Sequence, residues 1–284
     1  MPLSIRPLTS IADYHACEEL QRRVWLMPDD LEVVPLHMLK PIHEQGGLLL
    51  GAFEDGELVG FVFGYVGRTT EGRHKHCSHM MGVAPGYQAA GIGYQLKLAQ
   101  RAWALEQGYD LVTWTYDPLQ SRNAYLNIHK LGCICRTCVP DYYGPMADGL
   151  NAGLPSDRFE VEWWIASEAV TRRLAGTGED REGPPGPGSV ERVNEPVHTE
   201  AGLLAPGELR LDCRAEVLRV EIPADYGAIR SADPELALEW RLAMRRVFQT
   251  YFARGYAVVE FESRRLAGER RSTYVLRSEV LGGG

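Results

Sequence analysis

Residues 78–93, SHMMGVAPGYQAAGIG, constrain this chain more than any other stretch. Ser78 to Val83 reads as a buried strand, Pro85-Gly86 breaks it, and Gln88 to Gly93 forms a turn into an amphipathic helix. The helix continues through Leu96, Ala99, Ala102, Trp103 and Leu105, and Gly108 is placed to end it. A strand that hands over directly to a glycine-opened helix leaves the first backbone N–H groups unpaired and pointing outward, which attracts phosphate. Gly91 and Gly93 would let a diphosphate approach the backbone where a Cβ would block it.

The flanks set this unit in a longer order. Ser4 to Leu8 is a short strand, and Ser10 caps a helix through Ile11, Tyr14, Cys17, Leu20 and Val24. A second short helix spans 34–43, and Leu48–Phe53 with Leu58–Tyr65 makes a hairpin about Asp55-Gly56. His74 to Val83 is the next strand, and after the helix Asp110 to Tyr116 reads as a parallel central strand. A further helix opens over 117–124 and closes at Lys130–Cys133, and Phe159 to Ile165 continues the sheet.

From Gly176 the chain is too rich in Pro and Gly for regular structure, and 176–206 is expected to be a linker between domains at 1–175 and 207–284. The last segment repeats an earlier plan. Leu218–Pro223, a helix from Pro234 to Gly255 and Tyr256–Phe261 run strand, proline, helix, Gly-Tyr, strand, as do Met81–Pro85, the helix to Gly108 and Tyr109–Trp114. The connection 224–234 has no glycine pair and introduces Asp225 and Asp233, which would repel a diphosphate.

A formal charge of −8 opposes nucleic-acid backbones and no basic patch offsets it. No apolar run is long enough to span a bilayer and the first residues lack a signal-peptide core, so a cytoplasmic protein with neither membrane nor nucleic-acid partner is expected. The six cysteines read as reduced thiols. His129, Cys133, Cys135 and Cys138 offer a zinc-like donor set, but Cys138 should point away from Cys133 and Cys135 on their strand, so no metal is expected.

The phrase Gln88-Ala89-Ala90-Gly91-Ile92-Gly93 resembles the acyl-CoA signature of the GNAT N-acyltransferases, and the order of elements through about residue 170 is similar to that family's topology. Ala124 and Lys130-Leu131-Gly132 fit its second motif, whereas Asn123 adjoins the alanine and Ile128 occupies the slot where many members carry a catalytic tyrosine. The resemblance implies an α/β (α+β) fold, a mixed central sheet flanked by helices, with the C-terminal segment a degenerate, smaller strand-helix-strand half. It implies acetyl-CoA or another acyl-CoA, such as succinyl-CoA, as co-substrate. The activity implied is N-acylation of a small-molecule primary amine by direct transfer in a ternary complex. The other reading is a non-catalytic CoA-binding or regulatory protein. Oligomeric state stays open.

On this resemblance the backbone of Gln88, Ala89, Ala90, Gly91, Ile92 and Gly93 would take the diphosphate. Met81 and Val83 would pair with the pantetheine and thioester, and Asn123 would add a polar contact. Alternation along a strand places Cys77, His79, Met81 and Val83 on one face, and a histidine at that position resembles the base of aryl-alkylamine acetyltransferases, so the resemblance makes His79 the expected base, with a hydrogen-bonded core histidine the competing reading. Tyr116 and Asp117 are the alternative proton handlers. Trp25, Pro35, His37, Tyr142, Tyr143 and Arg158 are expected to line the acceptor pocket. Arg158 would clamp a carboxylate as in an amino-acid-like acceptor, or else form a turn ion pair with Asp157.

Overall fold

The computed structural model describes residues 3–27, 30–88, 90–144, 153–176, 190–266 and 268–278. The chain divides into two compact units, one built from 1–114 with 146–153 and 164–166, the other from 115–145, 154–163 and 167–284. This division falls elsewhere than the expected boundaries at 175 and 207. Residues 177–189 of the expected linker lie outside the described residues, and its later part contains short strands at Val190–Arg192, Val197–His198 and Leu204–Ala205.

The first unit holds β1 (Ser4–Pro7), α1 (Ile11–Trp25), α2 (Leu36–Glu44), β2 (Leu48–Glu54), β3 (Glu57–Arg68), β4 (His74–Val83), α3 (Ile92–Glu106) and β5 (Leu111–Tyr116), whose last two residues pass into the second unit. Its strands run β1-β2-β3-β4-β5, antiparallel until the parallel pair β4/β5. Period-two alternation explains its two cores. On one face Leu49, Phe53, Phe61 and Phe63 pack with Tyr14, Cys17 and Leu20 of α1 and Leu39 of α2. On the other Leu48, Leu50, Ala52 and Val62 pack with Ile92 and Leu96 of α3. Ser10 and Asp13 form a reciprocal capping box at the start of α1, and Gly108 follows α3 with a φ of 78°, the left-handed geometry that glycine adopts without strain.

The second unit contains α4 (Ser121–Ala124), a π-helical turn (Tyr125–Lys130), β6 (Ile134–Val139), β7 (Arg158–Trp164), α5 (Glu168–Leu174), β8 (Val190–Arg192), β9 (Val197–His198), β10 (Leu204–Ala205), β11 (Val217–Ile222), α6 (Tyr226–Ala232), α7 (Pro234–Phe252), β12 (Tyr256–Leu266) and β13 (Glu269–Ser278). Its main sheet runs β7-β6-β12-β13-β11-β8. The strand-helix-strand plan expected here exists, but β13 pairs antiparallel with both β11 and β12 and so lies between them. The helix expected after residue 117 is a single α-turn followed by the π-helical turn, with Arg173 donating to the carbonyls of Ile128 and His129.

Candidate functional site

The β4/β5 ladder comprises His76↔Val112 and Cys77↔Thr113, so among the described residues the strand from Ser78 to Val83 keeps β3 on one side and has no ladder on the other. An unladdered edge of this length offers backbone donors and acceptors to an extended ligand. The two strands part around a lysine. Lys97 of α3, 2 % exposed, donates to Ser78 Oγ at 2.9 Å, the first residue of β4 past the ladder, and lies 3.7 Å from the centre of the Trp114 ring, the first residue of β5 past it. Its ammonium also donates to Gln100 Oε1 at 3.1 Å. That fixes the Gln100 amide as donor to His76 Nε2 at 3.0 Å and leaves the His76 proton on Nδ1, where no partner exists among the described residues. Burial, helped by the Lys97 charge, pushes the His76 pKa down to about 3 and keeps that ring neutral.

The edge runs into the turn and α3. Gly91 caps the helix at φ 75° with no side-chain hydrogen bond, and the first intrahelical bond is donated by Gln95 to the Gly91 carbonyl. The N–H groups of Gly91, Ile92 and Gly93 therefore precede the helical ladder, as an anion site requires. Ala90 does not join them, because its N–H already donates to the Tyr87 carbonyl at 3.1 Å. Ala89 lies outside the described residues, and the Gln88 side is exposed. A Cβ on Gly93 would approach Met81 Cε at 3.4 Å, ordinary contact, so that glycine keeps the backbone open rather than relieving a clash.

The expected facing of β4 needs correction. The β3/β4 register pairs Gly64 with Ser78 and Phe63 with Met80, which leaves His79 as the extra residue of a β-bulge. Alternation reverses there. His76 and Ser78 before the bulge and Met81 and Val83 after it face α3, whereas the His79 ring sits on the other face at 5.9 Å from Phe63 and 5.8 Å from Tyr65. His79 is therefore not a core histidine on the α3 side. It is one wall of a cavity of about 260 Å³ whose other walls are Leu31–Pro35 ahead of α2, Met38 and Ile42 of α2, and Phe63 and Tyr65 of β3. The ring is solvent-accessible at this cavity, yet packing against the apolar walls lowers its pKa below the ordinary value. It is thus neutral at pH 7 and able to accept a proton. The bulge brings together a basic ring, the beginning of the open edge and a cavity.

Several expected site residues lie elsewhere. Trp25 stacks edge-on against Phe61 at 6.0 Å in the core and does not line the cavity. Of the early residues expected to line the pocket only Pro35 does, and His37 is exposed outside it. Tyr116 and Asp117 are buried in the second unit. The Tyr116 hydroxyl meets that of Tyr274 at 3.1 Å, and burial raises its pKa well above the ordinary value. Burial would raise the Asp117 pKa, but the bidentate Arg241 pair at 2.5 and 2.7 Å outweighs it and holds the carboxyl below its usual range. Both are buried and held in side-chain pairs. Arg158 is 7 % exposed and donates to the Asp157 carbonyl, while the Asp157 carboxylate pairs with Arg245. Tyr142 and Tyr143 are exposed, and Asn123 is exposed on α4.

Sequence reasoning missed Glu32, Tyr65 and Lys97. Tyr65 was legible, since it shares the β3 face of Phe63 at a spacing of two. Glu32 precedes α2 in irregular chain, and a lysine on an amphipathic helix reads as a solvated charge, so neither had a signal. Among the described residues there is no group of three or more potential metal-ligating side chains and no helix long and apolar enough to cross a membrane. His129 bonds Glu260 at 3.1 Å, and Cys133, Cys135 and Cys138 are buried and form no disulfide.

Residues 14–132 match the model of the Acetyltransferase (GNAT) family. No curated protein matches the chain in sequence. Solved structures resemble it loosely. The ribosomal-protein-S18-alanine N-acetyltransferase of Escherichia coli is 16% identical, with 58% of this chain and 96% of that one covered at a TM-score of 0.43. A GNAT family acetyltransferase of Elizabethkingia anophelis with acetyl-CoA bound is 17% identical, with 57% and 97% covered at 0.42. Arabidopsis thaliana Naa50 in complex with a bisubstrate analogue is 16% identical, with 56% and 97% covered at 0.45.

Proposed function

We propose, from the match of residues 14–132 to the model of the Acetyltransferase (GNAT) family, that the protein transfers an acyl group from acyl-CoA to a small primary amine, directly and within a ternary complex. The observation that carries this reading is the continuity of the open edge of β4 with the uncapped start of α3. The diphosphate meets the N–H groups of Gly91, Ile92 and Gly93, and the pantetheine arm and thioester follow the edge back past Val83 and Met81 toward His79. Acetyl-CoA or a larger donor such as succinyl-CoA suits this arrangement.

His79 takes one proton from the amine's ammonium, and the neutral nitrogen attacks the thioester carbonyl. A C–N bond forms and the C–S bond breaks. The leaving sulfur takes the second proton that the nitrogen sheds on becoming an amide, and His79 returns its proton to solvent. Backbone N–H groups on the edge stabilise the charge that develops on the carbonyl oxygen.

Ile128, fully buried where many family members carry the tyrosine that protonates sulfur, favours a second reading as a CoA-binding protein without turnover. Release of free thiol from acetyl- and succinyl-CoA across a panel of primary amines separates the two. Turnover supports transfer, and acyl-CoA binding without turnover supports the alternative. The His79 pKa is lowered, so the rate should be flat through neutral pH and fall only as pH drops below about 6.5. His79→Gln should lower kcat/KM by about 10²-fold or more and abolish that acid limb. An unchanged pH profile would remove His79 from the mechanism.

A further inference from the structure

The cavity beside His79 carries a charge pattern that selects among amines. Its walls are aliphatic and aromatic, and among the described residues the single ionisable carboxyl or basic group lining it besides His79 is Glu32. Among the described residues neither lysine nor arginine lines it. Arg158, the cation expected to receive a carboxylate, is buried in the second unit against the Asp157 carbonyl. We infer that the acceptor is a compact primary amine with an apolar body and no carboxylate, its ammonium drawn in by Glu32 and its body seated on Val34, Met38, Ile42 and Phe63. This rests on the acyl-transfer reading for the chemistry, but the binding claim stands on the cavity alone.

Three physical terms point the same way. An ammonium entering an apolar recess loses hydration and needs a counter-charge, which Glu32 supplies at the rim, where it stays exposed. The exposed Tyr65 ring, on the cavity wall beside His79, adds cation–π attraction. An α-carboxylate in the same recess would find no positive partner in the walls and would meet Glu32 as a like charge. At about 260 Å³ the space lies below the ~300–1,000 Å³ range of most ligand pockets. It therefore suits a body of one small ring or branched chain.

Matched pairs test this with the full chain, namely isopentylamine against leucine and phenethylamine against phenylalanine, each pair differing only in the α-carboxylate. Calorimetric binding of each compound and kcat/KM with acetyl-CoA are measured for wild type, Glu32→Gln and Glu32→Lys. The amine should bind at least tenfold tighter than its amino acid and show the same preference in kcat/KM. Glu32→Gln should shrink the preference and Glu32→Lys should abolish or reverse it, with acetyl-CoA affinity unchanged. Equal or tighter binding of the amino acids, failure of either amine to bind, or a preference unmoved by Glu32→Lys would overturn the inference. Amine binding with the expected Glu32 dependence but no thiol release would uphold it and remove the acyl-transfer reading instead.

Discussion

The molecule contains the plan strand, helix, strand twice, and the two versions differ in what their helix starts are left to do. In β4–α3–β5 the strands are parallel neighbours that part after two ladder pairs, and α3 opens at Gly91 without a side-chain cap. In the C-terminal version β13 fills the space between β11 and β12, and both helices are capped internally. Asp225 accepts from the Ala228 N–H and Asp233 from the Leu236 N–H, with Pro234 at the first position of α7. The same local grammar thus yields an open anion site in one place and a satisfied helix end in the other. The aspartates expected to repel a diphosphate serve as caps, which removes the donors as well. The longer helix has a fastening role. Arg241 and Arg245 of α7 hold the carboxylates of Asp117 and Asp157 within the second unit.

The largest effect should come from breaking that fastening. Asp117→Ala strands a buried guanidinium and should cost about 3–5 kcal/mol in denaturant unfolding. Because the folded-state pKa of Asp117 lies below its unfolded value near 3.9, its contribution is complete above that value and is lost as pH falls through the folded pKa. Wild type should therefore lose stability on acidification below about pH 4 with a steeper slope than Asp117→Asn. Equal slopes would show that the pair is not the acid-sensitive element.

Next in size, Gly93→Glu should weaken acetyl-CoA binding by about 30-fold, roughly 2 kcal/mol, by placing a carboxylate at the α3 start. Gly93 has helical rather than left-handed backbone, so the melting temperature should hardly move. Unchanged affinity would break the comparison at its functional side. Smallest, Asp233→Ala should cost about 1 kcal/mol of stability by removing a cap and leave acetyl-CoA affinity untouched. A drop in affinity there would mean that the two copies do not divide the work as described.

Most of the first unit was legible in the sequence because its signals are local. Ser10 with Asp13, the Asp55-Gly56 hairpin, Gly91 and Gly108 each dictate a backbone geometry through their own side chain or lack of one. The phosphate turn was legible for the same reason, except that the internal bond of Ala90 trims the donor set. The cavity was not. It depends on which face His79 takes, and a one-residue bulge against Phe63 and Gly64 decides that, an event of strand pairing with no mark in the β4 sequence.

By itself the sequence determined the order of strands and helices through β5, the glycine-opened start of α3 and the lack of such a start in the C-terminal segment, because turn chemistry and hydrophobic period act over a few residues; the strands within 190–205 and β13 carried no such signal. Tertiary structure alone decided which charges work on ligands and which on the fold. Asp117 reads as a proton handler and is buried against Arg241, a partner distant in sequence, while Glu32, unremarkable in the chain, stands exposed on the wall of an apolar cavity. Burial and pairing set the worth of a charge, and both are made by contacts that only the folded chain brings together.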